Sequence, residues 1–209
     1  MDPGFNEHFK FLVDKLYEKR DEIFDFVIFC NGSTIHCHKI ILATSSPVFN
    51  AMIKKNMKEG LKSEVTLDQI SVASIDCMLK FMYLQFKPDN FVHCILGSPD
   101  DIDFIEVLRM AEYFQIENLK VLCEYSLINL MKPENALEYF KEAKENNADN
   151  LMNKSKEFIL EWIHIIMKYE DWKDDLRKLN DVELMLEILD IARQGRQGKS
   201  QKSYVHGSI

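Results

Sequence analysis

Apolar side chains at the start of the chain recur at helical spacing. The spacing i, i+4, i+7 and i+11 places four large apolar residues on one face of a helix: Phe5, Phe9, Leu12 and Leu16. Acids and lysines occupy the other face, so the pattern predicts an amphipathic N-terminal helix. Its apolar face needs a cover, and two alternatives stay open: the core of the same chain or a second subunit.

The hydrophobic period then changes from that of a helix to that of strands. Residues 25–29 form a short β-prone apolar run, and Asn31-Gly32 is a strong signal for a two-residue hairpin that returns over 33–37. Farther on, Ser46 precedes Pro47, which is typical of an N-cap and the first position of a helix. The other elements predicted up to residue 131 are helices over 39–43, 47–53, 71–84, 102–114 and 116–131, an edge strand over 62–67, and a loop over 86–100 with a short extended piece at 91–96.

Lys132-Pro133 marks the clearest boundary in the chain. The segments that follow, up to residue 192, have helical periodicity, and we expect Phe140, Phe158 and Trp162 to lie in the core of this helical region. The sequence from Asn180 to Glu183 is typical of a capping box and predicts where the last helix begins.

The distribution of charge limits the classes of partner. The chain of 209 residues is 46% hydrophobic and has a net charge of -8, but residues 193–209 lack periodicity and carry four bases and no acid. We therefore expect a flexible basic tail on an acidic body, which would repel a phosphate backbone and bind no nucleic acid. The sequence contains no run of about 18 apolar residues, so we expect no membrane-spanning helix. The N-terminus does not resemble a secretory signal. Because the five cysteines form no CxxC pair, we expect reduced thiols in an intracellular protein, nuclear or cytoplasmic.

Residues that could carry chemistry are few. The sequence contains no nucleophile elbow, phosphate-binding glycine loop, HExxH motif or dinucleotide turn, so we expect no enzymatic activity, no catalytic residues and no cofactor. The densest candidate metal set is Cys30, His36, Cys37 and His38. Adjacent residues of a strand project to opposite faces, so His36 and Cys37 cannot both reach one tetrahedral zinc ion. Buried thiols and partly buried imidazoles are the expected alternative.

Several stretches together resemble the BTB/POZ domain family. They are Asp25-Phe26-Val27-Ile28, the segment from Ile35 to Met52, and Ala111-Glu112-Tyr113-Phe114 followed by Glu117-Asn118-Leu119, which fits the family's ADKY-x-x-E-x-L pattern. The resemblance implies an α+β fold over 5–131, with a small sheet of short strands flanked by helices. The following residues, 132–192, resemble the helical 3-box or BACK-like region of Cullin3 adaptors, as in speckle-type POZ proteins without their MATH domain. The predicted loop over 86–100 exceeds the usual connection of the family.

The resemblance also implies three sets of interface residues. Met57-Lys58-Glu59 is similar to the hydrophobic-x-Glu motif that adaptors of this family present to Cullin3; the alternative is a polar loop in which Met57 folds back onto its own core. Asp25 and Lys39 correspond to an acid and a base that face the central pocket of the family's dimer, and the alternative is an exposed, energetically slight pair. The four apolar residues of the first helix are expected to pack across a two-fold axis.

The expected function follows from this resemblance. It is that of a non-catalytic, homodimeric BTB adaptor that links Cullin3 of a RING ubiquitin ligase to an unknown substrate protein. The alternative is a dimerisation or scaffold module, structural or transcription-associated, that binds no cullin. No MATH, Kelch or zinc-finger pattern that would recruit a substrate is recognisable in this sequence.

Overall fold

The computed structural model of the chain describes residues 3–54, 57–84, 102–179, 181–186, 188 and 190, with the backbone alone for 3–10. These residues divide into two compact units, one up to Ser126 and one from Leu127 onward. The boundary predicted at Lys132 lies within the second unit. The predicted loop over 86–100 and the predicted tail over 193–209 lie outside the described residues.

The first unit combines short strands with helices. From the N-terminus to Asn129, the elements are helix α1 (Pro3–Glu18), strands β1 (Phe26–Cys30) and β2 (Ser33–Cys37), helices α2 (Lys39–Ser45), α3 (Pro47–Ile53) and α4 (Lys58–Lys62), strand β3 (Glu64–Thr66), and helices α5 (Val72–Leu84), α6 (Phe104–Tyr113) and α7 (Glu117–Asn129). The predicted α+β fold class is confirmed. Helix α4 lies where one interpretation of the sequence had a polar loop, and that interpretation is wrong.

The three strands form one sheet in the order β2-β1-β3. Strands β1 and β2 pair antiparallel, because Asn31 and Gly32 adopt φ angles of 46° and 79° and close the predicted two-residue turn. Strand β3 lies at the edge, as predicted, and pairs with β1 in parallel. Along the hairpin, alternate residues are buried on one face: Phe26, Ile28, Cys30, Ile35 and Cys37.

Helix α5 packs against α1, α2 and α6. Eight of its residues are buried, so it is apolar on most of its circumference. Phe49 of α3 stacks on Phe114, which follows α6, with ring centroids 4.2 Å apart. Ser46 caps α3 as predicted, since its side chain accepts a hydrogen bond from the N–H of Phe49.

The second unit is helical. It contains α8 (Ala136–Glu145), α9 (Asp149–Ile166), α10 (Trp172–Leu179) and a further helical stretch over 182–186. Phe140 is buried in its core and Phe158 packs against that core, as expected, whereas Trp162 is 39% exposed. The expectation for Trp162 is wrong because the buried face of α9 runs through Ile159 and Ile163, so the indole lies at its margin, stacked on Phe158.

Asp181, within the predicted capping-box sequence, caps the helical stretch over 182–186. The carboxylate of Asp181 accepts a hydrogen bond of 2.9 Å from the N–H of Leu184, which is the N-cap geometry. It also pairs with the ammonium group of Lys144 at 2.7 Å. Asn180, the predicted first residue of the capping box, lies outside the described residues.

Candidate functional site

Gly60 holds helix α4 tightly against the end of α3. A β-carbon at Gly60 would lie 2.5 Å from the carbonyl oxygens of both Ile53 and Lys54. Only glycine allows the two backbones to approach so closely. The sequence gives no sign of this contact, because a glycine between polar residues is equally typical of a turn.

Ser63 fixes the C-terminal end of α4. It adopts a left-handed conformation with φ of 59°, and its N–H donates to the carbonyl oxygen of Glu59. The carbonyl oxygen of Ser63 accepts a hydrogen bond of 3.0 Å from the N–H of Val27 in β1. Its hydroxyl oxygen accepts another, of 2.6 Å, from the ammonium group of Lys39. Helix α4 is therefore joined to the sheet and to α2 through one residue.

The three residues of the predicted cullin motif lie at the start of α4. Met57 immediately precedes the helix and is 50% exposed, so its side chain does not fold back onto the core. Lys58 is exposed and Glu59 is half-buried. Leu61, four residues after Met57, is 73% exposed, the largest exposed fraction among the large apolar side chains of the described residues. The segment thus presents apolar surface to solvent on a fixed helical turn, and its binding to a cullin stays a prediction.

Asp25 and Lys39 are linked through the backbone. A carboxylate oxygen of Asp25 accepts a hydrogen bond of 2.7 Å from the N–H of Lys39, the first residue of α2. The ammonium group of Lys39 bonds to Ser63, as described above. Asp25 is exposed and Lys39 half-buried. The carboxylate thus satisfies one of the free N–H groups at the start of α2, and a role for this pair in a dimer pocket stays a prediction.

The first helix contacts its own chain on one side and solvent on the other. Tyr17 donates a hydrogen bond of 2.7 Å to Asp76 of α5, and Arg20, just after α1, pairs with the same carboxylate oxygen at 2.7 Å. Phe11 and Leu12 are 55% and 52% exposed. Of the four residues in the predicted dimer stripe, Leu12 is exposed and Leu16 is half-buried, whereas the side chains of Phe5 and Phe9 lie outside the described residues. The sequence is compatible with packing of α1 on its own chain or on a second subunit, and in the structure α1 contacts α5 of its own chain.

The contact between α1 and α5 is electrostatic as well as apolar. The guanidinium group of Arg20 lies 4.0 Å from the ring centroid of Tyr17, and Lys80 pairs with the second oxygen of Asp76 at 3.1 Å. Burial, followed by the hydrogen bond to Asp76, raises the pKa of Tyr17 above its ordinary value. Sequence reasoning missed this cluster because Asp76 is more than 50 residues distant from Tyr17 and Arg20.

The cysteine and histidine residues of the hairpin have separate surroundings. Cys30 and Cys37 are buried at opposite ends of the hairpin, and burial raises the pKa of Cys37 to about 12. His36 stacks on Phe24, with ring centroids 3.9 Å apart. His38 is buried, and its Nδ1 lies 2.6 Å from the hydroxyl of Tyr83. Within the part of the chain that the structure describes, no group of three or more His, Cys, Asp or Glu residues could hold a metal ion.

A groove of about 450 Å³ lies between the segment after β3 and helix α6. Its lining includes Gln69, Ile70, Glu106, Arg109 and Tyr113. Ser71 donates its hydroxyl to Glu106 at 2.6 Å and its N–H to both carboxylate oxygens of Glu106 at 3.1 Å. Burial acts to raise the pKa of Glu106, but these hydrogen bonds outweigh it and hold the pKa below its ordinary value.

Among the described residues, no helix is both long enough and apolar enough to cross a membrane. Exposed apolar side chains of α1 and α4 lie on the surface of the first unit, and exposed apolar surface is typical of protein–protein contacts.

Comparison with protein families gives one match that covers more than half of the chain. Residues 13–130 match the model of the BTB/POZ domain. This range contains helix α4, the sheet and the Asp25–Lys39 link.

Curated relatives share parts of this chain. A BTB/POZ domain-containing protein of Arabidopsis thaliana is 29% identical over 74% of this chain and 58% of its own length. Kelch repeat and BTB domain-containing protein 12 of Homo sapiens is 26% identical over 79% of this chain and 25% of its own length. TD and POZ domain-containing protein 2 of Mus musculus is 30% identical over 68% of this chain and 37% of its own length. The chain therefore spans less than two thirds of the length of each of these relatives.

A solved structure is also similar. The BTB domain of human gigaxonin aligns with 59% of this chain and 91% of its own, at 22% identity and a TM-score of 0.43.

Proposed function

The chain belongs to the BTB/POZ domain family, and from this premise we propose that it is a homodimeric, non-catalytic adaptor that links Cullin3 of a RING ubiquitin ligase to a substrate protein. The BTB domain is a protein–protein interaction module. The observation that carries the proposal is the position of Met57-Lys58-Glu59 on a fixed and exposed helical turn. An adaptor of this kind works inside the cell, in the nucleus or the cytoplasm.

The chemistry of the motif supports binding to a helical partner. Met57 is a flexible apolar side chain that can fill a shallow groove between helices, and it is half exposed. Glu59, close to it in the motif, can accept charge-assisted hydrogen bonds from a partner. Because Gly60 packs the middle of α4 against the end of α3 and Ser63 fixes its C-terminal end, we expect little conformational entropy to be lost on binding.

Exposed apolar residues on α1 support the homodimer. Phe11 and Leu12 lie on the side of the helix away from the Tyr17–Asp76 contact, and both are more than half exposed. A two-fold interface uses the same patch on both subunits, so each apolar residue is buried once in each subunit and contributes two side chains to the interface. A dimer would present two cullin sites and two substrate sites, and would raise avidity through effective concentration.

The helices of the second unit fit the same proposal. We interpret α8, α9 and α10 as a 3-box or BACK-like region, as in speckle-type POZ proteins. The human relative's name joins a BTB domain to Kelch repeats. By analogy with that combination, the substrate would be bound outside the BTB domain.

The same exposed residues of α1 favour a second candidate function. It is a dimerisation or scaffold module, structural or transcription-associated, that binds no cullin. Both functions require the dimer, and they differ in whether Met57 and Glu59 bind a cullin.

One experiment separates the two functions. Size-exclusion chromatography with light scattering is run on the full chain alone and with the purified N-terminal domain of Cullin3. The adaptor predicts a dimer of twice 24.6 kDa and a 2:2 complex. The double variant Met57→Ala/Glu59→Ala should keep the dimer mass and lose the complex, whereas the control Glu161→Ala should keep both. A dimer that never binds the cullin domain would leave the scaffold as the function.

A further inference from the structure

The exposed face of helix α4 carries two parallel rows of side chains. Met57 and Leu61 are four residues apart and form an apolar row, since the N–H of Leu61 bonds to the carbonyl oxygen of Met57 at 3.1 Å. Lys58 and Lys62 have the same spacing and form a basic row beside it, and all four residues are exposed. The half-buried residue Gly60 faces α3 instead.

The family motif accounts for only part of this surface. It includes Met57, Lys58 and Glu59 but neither Leu61 nor Lys62. Leu61 is nevertheless more exposed than Met57, at 73% against 50%. Leu61 extends the exposed apolar surface of Met57, and burying its side chain against a partner would be favourable.

The charge of the residues around α4 indicates the chemistry of the binding partner. Residues 54–64 contain more lysines than glutamates, so this segment is basic in a chain whose net charge is -8. Lys62 pairs with Glu64 at 3.3 Å, but an exposed pair of this kind is weak and leaves the lysine open to exchange its partner. Lys54, just before the turn, is exposed as well. The surface therefore matches a partner that combines apolar and acidic side chains.

Geometry identifies the shape of the partner. The backbone N–H of Leu61 is hydrogen-bonded within the turn, so α4 offers no strand edge to an extended peptide. Residues four apart along a helix are separated by about 6 Å, and a second helix with the same spacing would place its own rows opposite these two.

We propose that Leu61, Lys58 and Lys62 form one docking surface with Met57, and that its occupant is an amphipathic helix with an apolar row beside an acidic row. This inference rests on the proposed function, in which the partner is Cullin3. Leu61 is the second apolar anchor, and the two lysines select an acidic partner.

The test is isothermal titration calorimetry of the full chain with the purified N-terminal domain of Cullin3. We expect Leu61→Ala to weaken binding about tenfold, as is typical of a central apolar anchor. The matched control is Leu186→Ala, since Leu186 is 58% exposed on the helical stretch over 182–186, and it should bind like the wild type. Melting curves of both variants should coincide with that of the wild type, because Leu61 contributes little to the core.

A second variant tests the basic row. Lys58→Gln/Lys62→Gln should weaken binding severalfold at low salt and should reduce its dependence on ionic strength. The control Lys154→Gln, a lysine exposed on α9, should leave the salt dependence unchanged.

The outcomes separate this inference from the function on which it rests. If the wild type binds and Leu61→Ala binds equally well, the docking surface is refuted and the adaptor stands. If the wild type does not bind the Cullin3 domain at all, both the docking surface and the adaptor function are refuted. If Leu186→Ala loses as much affinity as Leu61→Ala, the effect is unspecific and the docking surface is again refuted.

Discussion

The hydroxyl group of Ser46 donates a hydrogen bond of 2.6 Å to the carbonyl oxygen of Phe114, 68 residues farther along the chain. The hydroxyl oxygen of Ser46 also accepts a hydrogen bond of 3.1 Å from the N–H of Phe49. Since the rings of Phe49 and Phe114 stack, one buried serine joins the start of α3 to the end of α6 at the point where their aromatic residues meet.

Ser46→Ala should destabilise the protein. It removes the cap of α3 and leaves the carbonyl oxygen of Phe114 without this donor, so we expect the free energy of unfolding to fall by about 1–3 kcal/mol. Urea denaturation followed by circular dichroism measures the change.

Ser155→Ala is the matched control for this prediction. Ser155 is fully buried in α9, but its hydroxyl oxygen has no hydrogen-bond partner among the described residues. Its removal should be neutral or slightly stabilising. Equal losses in the two alanine variants would contradict the role assigned to Ser46.

Gly60→Ala should displace helix α4. The added β-carbon would collide with two backbone carbonyl oxygens at 2.5 Å, and backbone atoms cannot yield as a flexible side chain can. We expect a loss of about 1–3 kcal/mol in stability and a loss of affinity for the Cullin3 domain, measured by denaturation and calorimetry.

Gly32→Ala separates the steric effect at Gly60 from the general cost of losing a glycine. Gly32 has a φ of 79°, but no atom would lie within 4 Å of a β-carbon added there, so alanine meets backbone strain alone. The substitution should cost about 1 kcal/mol and leave the affinity for the cullin domain unchanged. An equal loss of affinity in both variants would show that α4 is not displaced specifically.

Glu106→Gln should change how stability depends on pH. The folded-state pKa of Glu106 lies below its ordinary value, so its contribution is present above the pKa of the unfolded chain and is lost as the pH falls through the folded-state pKa. At pH 7 the variant should be less stable by about 1 kcal/mol, a value reduced by partial exposure to solvent.

The difference between the wild type and Glu106→Gln should shrink as the pH is lowered below about 4, the ordinary range of glutamate. Urea denaturation at several pH values measures it. The control is Glu161→Gln, an exposed residue of α9, which should follow the wild type at every pH. A constant difference across the whole range would contradict the assignment.

Leu12→Asp should dissociate the proposed homodimer. A charge at a residue that is 52% exposed in the single chain would be buried twice at a two-fold interface. Light scattering at micromolar concentration should then return 24.6 kDa in place of twice this mass. Leu186→Asp is the control and should remain a dimer; a wild-type mass of 24.6 kDa would refute the dimer itself.

The sequence predicts those elements whose cause is local. Asn31-Gly32 determines the hairpin because both residues tolerate positive φ. Ser46 and Pro47 determine where α3 begins, and α3 has the predicted bounds (Pro47–Ile53). The run that forms β1 is apolar throughout, so the alternation of its buried residues comes from the geometry of the strand and not from a pattern in the sequence.

Contacts between distant residues were not predictable in this way. The parallel pairing of β3 with β1 and the pairing of Arg20 with Asp76 depend on the path of the chain. Gly60 and Leu61 are a further case: only the position of α4 against α3 shows that the glycine is a close contact and that the leucine faces solvent.

The single-residue joint at Ser63 has a kinetic consequence. It closes α4 on one side and accepts the N–H of Val27 on the other, so the turn that carries Met57 moves with the first strand as one body. If the chain binds Cullin3 as proposed, we expect the rate constant of association to fall in the ordinary range for rigid surfaces, about 10⁵–10⁷ M⁻¹ s⁻¹. Differences in affinity among the variants of this surface should therefore arise in the lifetime of the complex.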